Sequence, residues 1–514
     1  MVHGNWLAKW KTLVGSKPAV VELETGRSLT YAALDERADR LAHALQDGFG
    51  VGPGERVAVL AQNRLEQVEL YFAVAKLGAV LVPVNWRLTP PEVGYVLADS
   101  APRVMFFGRE LQAGVQALVD AGLWRGPLVD LDDPGPQGYA ARLGAAAATP
   151  VEREGVLEST PLMLLYTSGT TGRPKGAVLT HGSITWNAIN TATGWDLHQA
   201  DVTLTHTPFF HTGGWNVLTL PLLHRGGTVV LARKFEAAEA VRAIERHGIS
   251  VLFAVPTMFQ MMLDCGELGR AELGSLRFFI SGGAPCPVPL IEAYARLGVT
   301  FKQGYGLTEV GPNCFVLDAA DAIRKAGSVG FPVLHLDTRL VAAEGRLAGP
   351  DEVGELQLRG PTVCAGYWQN PEATRQALSA DGWFATGDLF RRDAEGYHYV
   401  VGRLKEMYIS GGENVYPAEV ERVLYEIPEV IEAAVVGVPD PKWGEVGFAF
   451  VATGRADRAG LSEARVLEHC REHLARYKVP KFLALLDTLP KGASGKIQKT
   501  ELQAEARRRA GAAG

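Results

Sequence analysis

Apolar and polar positions in the first hundred residues alternate between short apolar runs and repeats of helical period. The runs of strand length cover residues 19–23, 56–61 and 79–83. Thr30 has the side chain of a helix cap and precedes a first helical repeat, and a second repeat spans about residues 65–77 and stops at Gly78. This strand–helix order predicts parallel strands with helices on the faces, which is a doubly wound sheet.

The same rhythm returns in the middle of the chain and ends before the last quarter. The later elements are strands at 202–205, 228–231 and 251–255, a helix around 215–223 and a helix that ends at 247–248. Two such groups predict two sheet-based subdomains, separated by a segment at 132–150 that is expected to be irregular. Beyond about Gly402, shorter strands mixed with helices predict a small α+β domain, whose final segment is expected to fray.

Composition places the chain among globular proteins with a substantial core. Hydrophobic residues make up 47% of the 514 residues and charged residues 21%, and 51 basic against 57 acidic side chains give a net charge of −6. This mild acidity argues against a protein held to nucleic acid or to an anionic membrane by bulk charge. The fold class is therefore α/β, with large doubly wound sheet subdomains followed by a small α+β domain.

Cysteine usage and the absence of long apolar stretches indicate a reducing compartment. The five cysteines are scattered and never form a C-x-x-C pair, which excludes a disulfide framework and a thiolate zinc site. No stretch approaches the roughly 20 apolar residues of a membrane span, and residues 1–18 lack the apolar core of a signal peptide. We expect a cytoplasmic protein without a transmembrane segment or a nucleic-acid partner.

The strongest local motif is the run Tyr-Thr-Ser-Gly-Thr-Thr-Gly-Arg-Pro-Lys-Gly at residues 166–176, directly after the apolar run 162–165. Its hydroxyls alternate with glycines, so that backbone N–H and side-chain O–H groups can converge on phosphate oxygens, and Lys175 adds charge. It is not a Walker A loop, because the Gly-x-x-x-x-Gly-Lys-Ser/Thr pattern is missing. Taken alone, such a segment is more often a turn between strands.

A second motif, Gln-Gly-Tyr-Gly-Leu-Thr-Glu at residues 303–309, suits a flat ring and a cation. Gly304 and Gly306 let a ring approach the backbone, and Tyr305 offers a stacking face. Glu309 supplies the oxygen ligand that Mg²⁺ prefers. Taken alone, a glutamate after a glycine turn is usually a solvated surface residue.

Two further motifs carry polar groups for a nucleotide. The turn Thr386-Gly387-Asp388 suits a contact to ribose hydroxyls, to which Arg403 could add a second. The glycine-rich loop 490–496 presents Lys496. Taken alone, these are a capped turn, an exposed charge and a solvated loop lysine.

In this order and spacing, the four motifs resemble the adenylate-forming (AMP-binding) superfamily, in its branch of acyl-CoA synthetases and fatty-acid–CoA ligases. The resemblance extends from residue 19 to Lys496. It implies an N-terminal adenylation domain over residues 1–401, a hinge at 402–406 that contains Lys405, and a mobile C-terminal lid over 407–514. Many relatives have aspartate at the hinge position, where this chain has lysine.

The resemblance also implies the reaction and its cofactors. A carboxylic acid attacks ATP in the presence of Mg²⁺ to give acyl-AMP and pyrophosphate, and CoA as co-substrate then yields acyl-CoA and AMP. The acid is a medium- or long-chain fatty acid or an aryl acid. The alternatives are a CoA ligase of the 4-coumarate or feruloyl type, or an adenylating enzyme that does not use CoA. A homodimer is compatible with the sequence, which does not decide the oligomeric state.

The resemblance assigns roles residue by residue. Lys496, Thr308 and Glu309 are the expected catalytic residues, with Glu309 as the Mg²⁺ ligand and His211 as the gate to the acyl site. The expected ATP and AMP contacts are Thr167, Ser168, Gly169, Thr170, Thr171, Gly172, Lys175, Gly282, Gly283, Ala284, Pro285, Gly304, Tyr305, Gly306, Asp388 and Arg403.

Two pockets complete these expectations. The expected acyl pocket is lined by His211, Trp215, Val255, Met258 and Ser281. The expected CoA contacts are Gly412, Trp443 and Lys481. Plain core packing explains Trp215 as well as contact with the acid does. Partial core burial likewise explains Trp443 as well as contact with CoA does. No aspartate is placed for an α-amino group, which disfavours an amino-acid substrate.

The placement of Lys496 on a loop of the mobile domain generates a prediction. Lys496→Ala removes adenylation but largely spares the thioester step, because this lysine leaves the site before CoA arrives. ATP-dependent turnover and the conversion of synthetic acyl-AMP with CoA are measured separately on the variant. Equal loss of both half-reactions would contradict the proposed division of labour.

Overall fold

The computed structural model describes residues 4–151, 153–167, 173–284, 286–343, 345–453, 461–492 and 497–512. The chain divides into two compact units. The first unit combines Met1–Thr338 with Leu358–Ala385, and the second combines Arg339–Gln357 with Thr386–Gly514. A hinge is a statement about which segments move relative to each other, and this division into units does not test it. The hinge at 402–406 stays a prediction.

The described helices are, in chain order, α1 (Gly4–Val14), α2 (Tyr31–Phe49), α3 (Leu65–Leu77), α4 (Pro90–Ser100), α5 (Gln112–Asp120), α6 (Tyr139–Ala145), α7 (His181–Gly194), α8 (Thr219–Arg225), α9 (Ala237–His247), α10 (Pro256–Asp264), α11 (Val288–Arg296), α12 (Pro371–Ala377), α13 (Pro417–Leu424), α14 (Glu463–His473) and α15 (Lys499–Ala512). A π-helical turn at Gly213–Val217 precedes α8. Thr30 caps α2 by accepting a hydrogen bond from the Ala33 N–H, as predicted.

The described strands are, in chain order, β1 (Pro18–Glu22), β2 (Ser28–Thr30), β3 (Arg56–Leu60), β4 (Val80–Pro83), β5 (Val104–Phe107), β6 (Leu128–Asp130), β7 (Pro161–Thr167), β8 (Lys175–Thr180), β9 (Val202–Thr205), β10 (Thr228–Leu231), β11 (Val251–Ala254), β12 (Phe278–Ser281), β13 (Phe301–Leu307), β14 (Gly311–Leu317), β15 (Ser328–Pro332), β16 (Asp337–Val341), β17 (Gly354–Arg359), β18 (Phe384–Arg392), β19 (His398–Arg403), β20 (Tyr408–Ser410), β21 (Glu413–Val415), β22 (Glu432–Asp440), β23 (Gly444–Ala452) and β24 (Phe482–Leu486).

Two mainly parallel sheets with helices between their strands form the first unit, which confirms the predicted α/β class. One has the strand order β2-β1-β10-β9-β11-β12-β13-β14-β15, and it is parallel from β1 to β13. The other has the order β6-β5-β3-β4-β7-β8, with β7 and β8 antiparallel. Strands β4, β5 and β12 are buried at every residue, as strands covered by helices on both faces should be.

The second unit is built from smaller sheets. Strands β16 to β19 are neighbours in sequence order, and a separate sheet has the order β21-β20-β23-β22 with β24 beside β23. Helices α13 and α14 pack against that sheet around Val420, Val466 and Cys470. This mixture of short helices and strands is the predicted α+β pattern.

The first strand does not belong to the sheet that its position in the chain suggested. The sequence predicts one strand–helix sheet over residues 19–83, but β1 pairs with β10 and β2, whereas β3 and β4 lie in the other sheet. Tyr31 at the start of α2 is fully buried and donates a hydrogen bond to the carbonyl of Gly227, just before β10. Hydrophobic periodicity identifies strands but not their partners, and long-range contacts such as this one decide the pairing.

The segment expected to be irregular contains a docked helix. Helix α6 lies within residues 132–150 and buries Tyr139 and Leu143. Tyr139 donates a hydrogen bond to the buried carboxylate of Glu69, which also accepts from Arg37 at 2.6 Å. The abundance of Ala and Gly concealed a helix that tertiary contacts hold in place.

The end of the chain is also helical rather than frayed over its described part. In α15 the side chains of Leu502 and Ala506 are buried against Ala434, Val436 and Phe450 of β22 and β23. These two small contacts at i and i+4 give the helix one apolar strip. The arginine-rich surface around that strip made the segment resemble a solvated tail.

Helix α3 is buried along its whole length, although it carries several charges. Lys76 contributes an ammonium that lies 2.7 Å from carboxylates of both Asp35 and Asp39 on α2. Asp39 additionally accepts a hydrogen bond from the Val151 N–H. A charge taken out of water is tolerated only with such partners, so the packing of α2 on α3 depends on these pairs.

Within the described part of the chain, none of the helices combines the length and the apolar character that crossing a membrane requires.

The buried ammonium generates a stability prediction. Lys76→Ala leaves the buried Asp39 without a cation and the buried Asp35 with only the half-exposed Lys11, and it lowers the free energy of unfolding by about 3–5 kcal/mol. Lys11 is a matched control, since its ammonium also pairs with Asp35, at 3.2 Å, but is 47% exposed. Lys11→Ala is expected to cost at most about 1 kcal/mol. Denaturant unfolding followed by tryptophan fluorescence compares the two, and equal losses would contradict the prediction.

Candidate functional site

Residues singled out in the sequence follow the carboxyl ends of strands in the first unit. Ligands of open α/β sheets bind at such ends, because loops there can converge above the sheet. The strand ends concerned are Thr167 of β7, Thr205 of β9, Ala254 of β11, Ser281 of β12 and Leu307 of β13. The fold therefore places the predicted nucleotide and acid residues where the topology makes a site.

Glu309 lies in the tight turn between β13 and β14, and its carboxylate is fixed by two hydroxyls. Thr167 Oγ1 donates to Glu309 Oε1 at 3.3 Å, and the phenol of Tyr367 donates to the same oxygen at 3.0 Å. Among the described residues none donates to Oε2, so this oxygen stays available to a cation. Two hard oxygen groups, from Glu309 and Thr167, are a donor set that suits Mg²⁺.

Tyr367 keeps its proton in this arrangement. Burial, together with the charge of Glu309, raises the pKa of Tyr367 far above its ordinary value. The phenol therefore acts as a permanent donor that orients the carboxylate. Lys175, the strand partner of Thr167, places its ammonium 5.4 Å from the centre of the Tyr367 ring.

Several predicted residues lie outside the described part of the chain. They are Ser168, Gly169, Thr170, Thr171, Gly172, Pro285 and Lys496. Their roles stay predictions.

The glycines predicted to border the adenine come together on neighbouring strands. Ser281 of β12 pairs with Gln303 of β13, which sets Gly282 beside Gly304. A Cβ on Gly282 would lie 3.3 Å from the carbonyl oxygen of Gly304, a contact that requires the facing backbone to shift by a few tenths of an ångström, so glycine favours this close approach. Gly283 adopts φ +80°, and Tyr305 lies edge-on to Phe315. Ala284 is exposed immediately beyond.

His211 occupies a turn after β9 that a buried asparagine pins in place. Asn63 donates to the Thr207 carbonyl at 2.9 Å and accepts from the Phe209 N–H at 2.9 Å. The Gly213 N–H donates to His211 Nδ1 at 3.0 Å, so the proton of the neutral ring lies on Nε2. No motif in the sequence singles out Asn63.

A small cleft adjoins this turn. It is lined by Thr203, Leu204, Thr205, Thr207, Gly213, Leu218 and Phe253. Phe253 lies between two glycines. Its ring is 3.4 Å from the position that a Cβ would take on Gly213 and equally far from that position on Gly282. Phe253 therefore separates the predicted acid side from the predicted adenine side.

The other predicted acyl residues are distributed around this point. Val255 is half-buried and packs next to Gly283, with 3.5 Å between its Cγ1 and the Cβ position. Ser281 is buried at the end of β12, whereas Met258 on α10 packs against the core that contains Phe259. Met258 is thus half-buried core in this structure, and its place in the acyl pocket stays a prediction.

Trp215 is packed as a core residue. Its side chain is fully buried and stacks on Phe209, with ring centres 3.9 Å apart, and on Tyr71 at 5.3 Å. Of the two interpretations left open by the sequence, this packing favours the structural one. Contact between Trp215 and an acid stays a prediction.

In the second unit, the two predicted ribose residues are paired. Asp388 and Arg403 face each other on β18 and β19, with 3.0 Å between Nε and Oδ1. Asp388 is 5% exposed, whereas Arg403 is open to solvent. The sequence suggested a turn here, but these residues lie within a strand in which Gly387, at φ +70°, makes the bend.

The predicted hinge follows directly. Lys405 lies in the turn after β19, where burial and the neighbouring Arg403 lower its pKa. Glu406, next in the chain, pairs with Lys499 at 2.9 Å, and Glu421 of α13 pairs with the same ammonium at 2.7 Å. Lys499 thereby fixes the start of α15, three residues beyond Lys496, to the end of the predicted hinge.

The three predicted CoA residues also lie near one another in the second unit. Gly411, next to Gly412, donates its N–H to the carbonyl of Trp443 at 2.8 Å. Trp443 is 47% exposed, so the alternative of core burial does not apply to it. Asp440 accepts from the backbone N–H of Trp443 and pairs with Lys481 at 2.6 Å, which lowers the pKa of Asp440.

Three residues of these sites escaped the sequence reasoning: Tyr367, Asn63 and Phe253. None belongs to a motif, and each acts through a contact with a distant segment. Of the three, only Phe253 lies in a segment that the sequence analysis considered, the predicted strand 251–255.

Comparison with known proteins identifies the family. The AMP-binding enzyme model matches residues 8–368, and the model of the AMP-binding enzyme C-terminal domain matches residues 419–496. The chain is 44% identical over 500 residues to a feruloyl-CoA synthase from an Amycolatopsis species, covering 97% of this chain and 98% of the relative. It is 42% identical over 508 residues to an indoleacetate–CoA ligase from Aromatoleum aromaticum, covering 98% of each.

A solved structure agrees. The Mycobacterium tuberculosis fatty acyl CoA synthetase superposes with a TM-score of 0.78 at 36% identity, covering 98% of each chain.

The geometry at Glu309 generates a prediction. Tyr367→Phe removes one of the two hydroxyls that orient the carboxylate, and we expect a rise of about tenfold or more in the Mg²⁺ concentration that half-saturates ATP–pyrophosphate exchange. Tyr166→Phe is the matched control, because Tyr166 directly precedes Thr167 but donates to Asp99. Unchanged Mg²⁺ dependence in Tyr367→Phe, or the same change in both variants, would contradict this role.

Proposed function

The chain belongs to the AMP-binding enzymes, and from this premise we propose that its acid substrate is an aromatic carboxylic acid. The chain is an AMP-forming acid–CoA ligase that uses ATP, Mg²⁺ and CoA. The carboxylate of the acid attacks the α-phosphorus of ATP and releases pyrophosphate. The CoA thiol then attacks the acyl-AMP, and AMP leaves.

Similarity to two ligases of aromatic acids carries this proposal. The feruloyl-CoA synthase and the indoleacetate–CoA ligase are named for acids that contain an aromatic ring, and both match nearly the whole chain at more than 40% identity. The fatty acyl CoA synthetase matches over the same length at 36%.

The lining of the cleft beside His211 is compatible with an aromatic acid. Phe253 and Leu218 give apolar walls, and Thr205 and Thr207 add hydroxyls. Apolar walls with a few polar groups are the usual lining of a small-molecule pocket.

The residues proposed to bind ATP and Mg²⁺ lie in the first unit. Thr167, Lys175 and the intervening loop bind the phosphates, with Thr308 as a further donor. Glu309, oriented by Tyr367, holds Mg²⁺, which when bound neutralises charge on the phosphates. Gly282, Gly283, Gly304 and Tyr305 border the adenine. Fixed donors of this kind stabilise the charge that develops during attack on the α-phosphorus.

The second unit supplies the remaining contacts. Asp388 and Arg403 bind the ribose, and Lys496 reaches the reacting oxygens during adenylation. Gly412, Trp443 and Lys481 contact CoA in the thioester step, with Asp440 orienting Lys481. Residues 402–406 are the hinge between residues 1–401 and the lid 407–514, with Lys405 at the pivot.

We place the enzyme in the cytoplasm. ATP and CoA are the supporting argument, together with five cysteines that are all free thiols. A reducing compartment keeps such thiols unpaired.

A panel of acids tests the proposed substrate. Ferulate, indoleacetate, octanoate and palmitate are each supplied with ATP, Mg²⁺ and CoA, and pyrophosphate and acyl-CoA are measured. We expect kcat/KM for an aromatic acid to exceed that for palmitate by about tenfold or more. A preference for palmitate would contradict the aromatic assignment.

The same panel with Phe253→Ala tests the location of the acid. Widening the cleft should shift the relative kcat/KM towards bulkier acids. Because the Phe253 ring also contacts Gly282 on the predicted adenine side, any change in the KM for ATP should be the same with every acid. Trp215→Ala is the control, because truncation of a core tryptophan costs about 3–5 kcal/mol and affects all acids alike. If Phe253→Ala also lowers activity uniformly, the cleft is not the acid site.

A further inference from the structure

Two histidines and a glutamate of the second unit lie close to one another. None of the three was assigned to ATP, the acid or CoA in the sequence analysis. His469 and His473 are one turn apart on α14, and Glu426 follows the end of α13. One donor atom from each lies within 4.8 Å of the other two. The two imidazole rings are 4.2 Å apart between centres.

The hydrogen bonding of His473 leaves a nitrogen free for a ligand bond. Its Nδ1 lies 2.9 Å from the carbonyl oxygen of His469. A carbonyl only accepts, so Nδ1 carries the proton and Nε2 keeps its lone pair. A histidine whose other nitrogen donates to a backbone carbonyl is the usual arrangement of a metal ligand.

His469 also offers a nitrogen to the cluster. Its Nε2 is shielded from solvent and makes no hydrogen bond with any described residue. Glu426 Oε2 lies 3.8 Å from this nitrogen, which is too long for a hydrogen bond. Two atoms bound to one tetrahedral zinc-sized ion are about 3.4 Å apart, since each bond is about 2.1 Å long. A small side-chain rotation therefore converts the observed separation into shared coordination.

The neighbouring groups leave this cluster open. Arg422 reaches only the other oxygen of Glu426, at 3.5 Å. Cys470, which lies between the histidines in sequence, is fully buried in the core with Val466 and is not one of the converging donors. The donor set therefore consists of two imidazoles and one carboxylate.

We propose that Glu426, His469 and His473 form a binding site for a divalent transition metal ion of the zinc type, distinct from the Mg²⁺ that the reaction uses. Imidazole nitrogens favour Zn²⁺, Ni²⁺ and Cu²⁺, whereas Mg²⁺ requires oxygen ligands. Three protein ligands leave a fourth position to water. The ion links α14 to the end of α13 and stabilises the second unit.

Metal binding to the full-length, chelator-treated protein tests this site. Zn²⁺ is measured by equilibrium dialysis without ATP, and Co²⁺ is used as a spectroscopic probe of tetrahedral coordination. We expect one strongly bound ion per chain, with affinity reduced about tenfold or more in each of His469→Gln, His473→Gln and Glu426→Gln. Glu472→Gln is the matched control, because it removes an exposed carboxylate from the same helix next to His473 and should leave the affinity unchanged.

Three results would overturn the proposal: no bound ion, binding that survives in any of the three site variants, or a thiolate-to-cobalt charge-transfer band. Acid-dependent ATP–pyrophosphate exchange in Mg²⁺ verifies that each variant is folded, since none of these residues belongs to the proposed catalytic machinery. A variant that loses exchange is replaced by the corresponding alanine variant before its affinity is compared.

Discussion

Three distant segments of the first unit meet at the carboxylate of Glu309. The end of β7 contributes the Thr167 hydroxyl, the segment after residue 358 contributes the Tyr367 phenol, and the Cys364 N–H donates to the Glu309 carbonyl. The turn between β13 and β14 is thereby held from both sides. Because Tyr367 keeps its proton, the orientation of the carboxylate does not depend on a bound cation. The end of β7 and the glycines of β13 are positioned relative to this one group, and preorganisation of this kind is what charge stabilisation requires.

Buried ion pairs hold helix α3 in the first unit, where its charged side chains have no access to water. Helix α3 is completely buried, and its charged side chains each have partners on other elements. At its start, Arg64 forms two 2.9 Å bonds to Asp132, and this guanidinium lowers the pKa of Asp132 to about 2. Removing one partner from such a pair leaves an uncompensated charge. The strand ends that carry the predicted nucleotide residues therefore depend on contacts well outside the motifs.

The residues of the second unit are proposed to act in two different steps of the reaction. Adenylation needs cationic groups around the phosphates, whereas the thioester step needs space for CoA, so one set of residues cannot serve both steps in one position. Lys499 ties the segment that follows Lys496 to Glu406 and Glu421. Asp440 in turn orients Lys481 and the backbone of Trp443. Each proposed role thus has its own support within the unit.

Local sequence patterns were enough to predict the class of fold and several of its strands and helices, and the motifs pointed to the reaction. These properties are local, because periodicity reports which face is buried and the motifs place donors within a few residues of each other. Tertiary structure alone decided the pairing of β1 with β10, the docking of α6 and α15, and the contacts of Tyr367, Asn63 and Phe253. Each of these depends on segments that are distant in the chain, and Trp215 shows the same limit, since its pattern suited a core or a pocket equally. Only packing could distinguish them, because an apolar side chain is buried by the same free energy against protein or ligand.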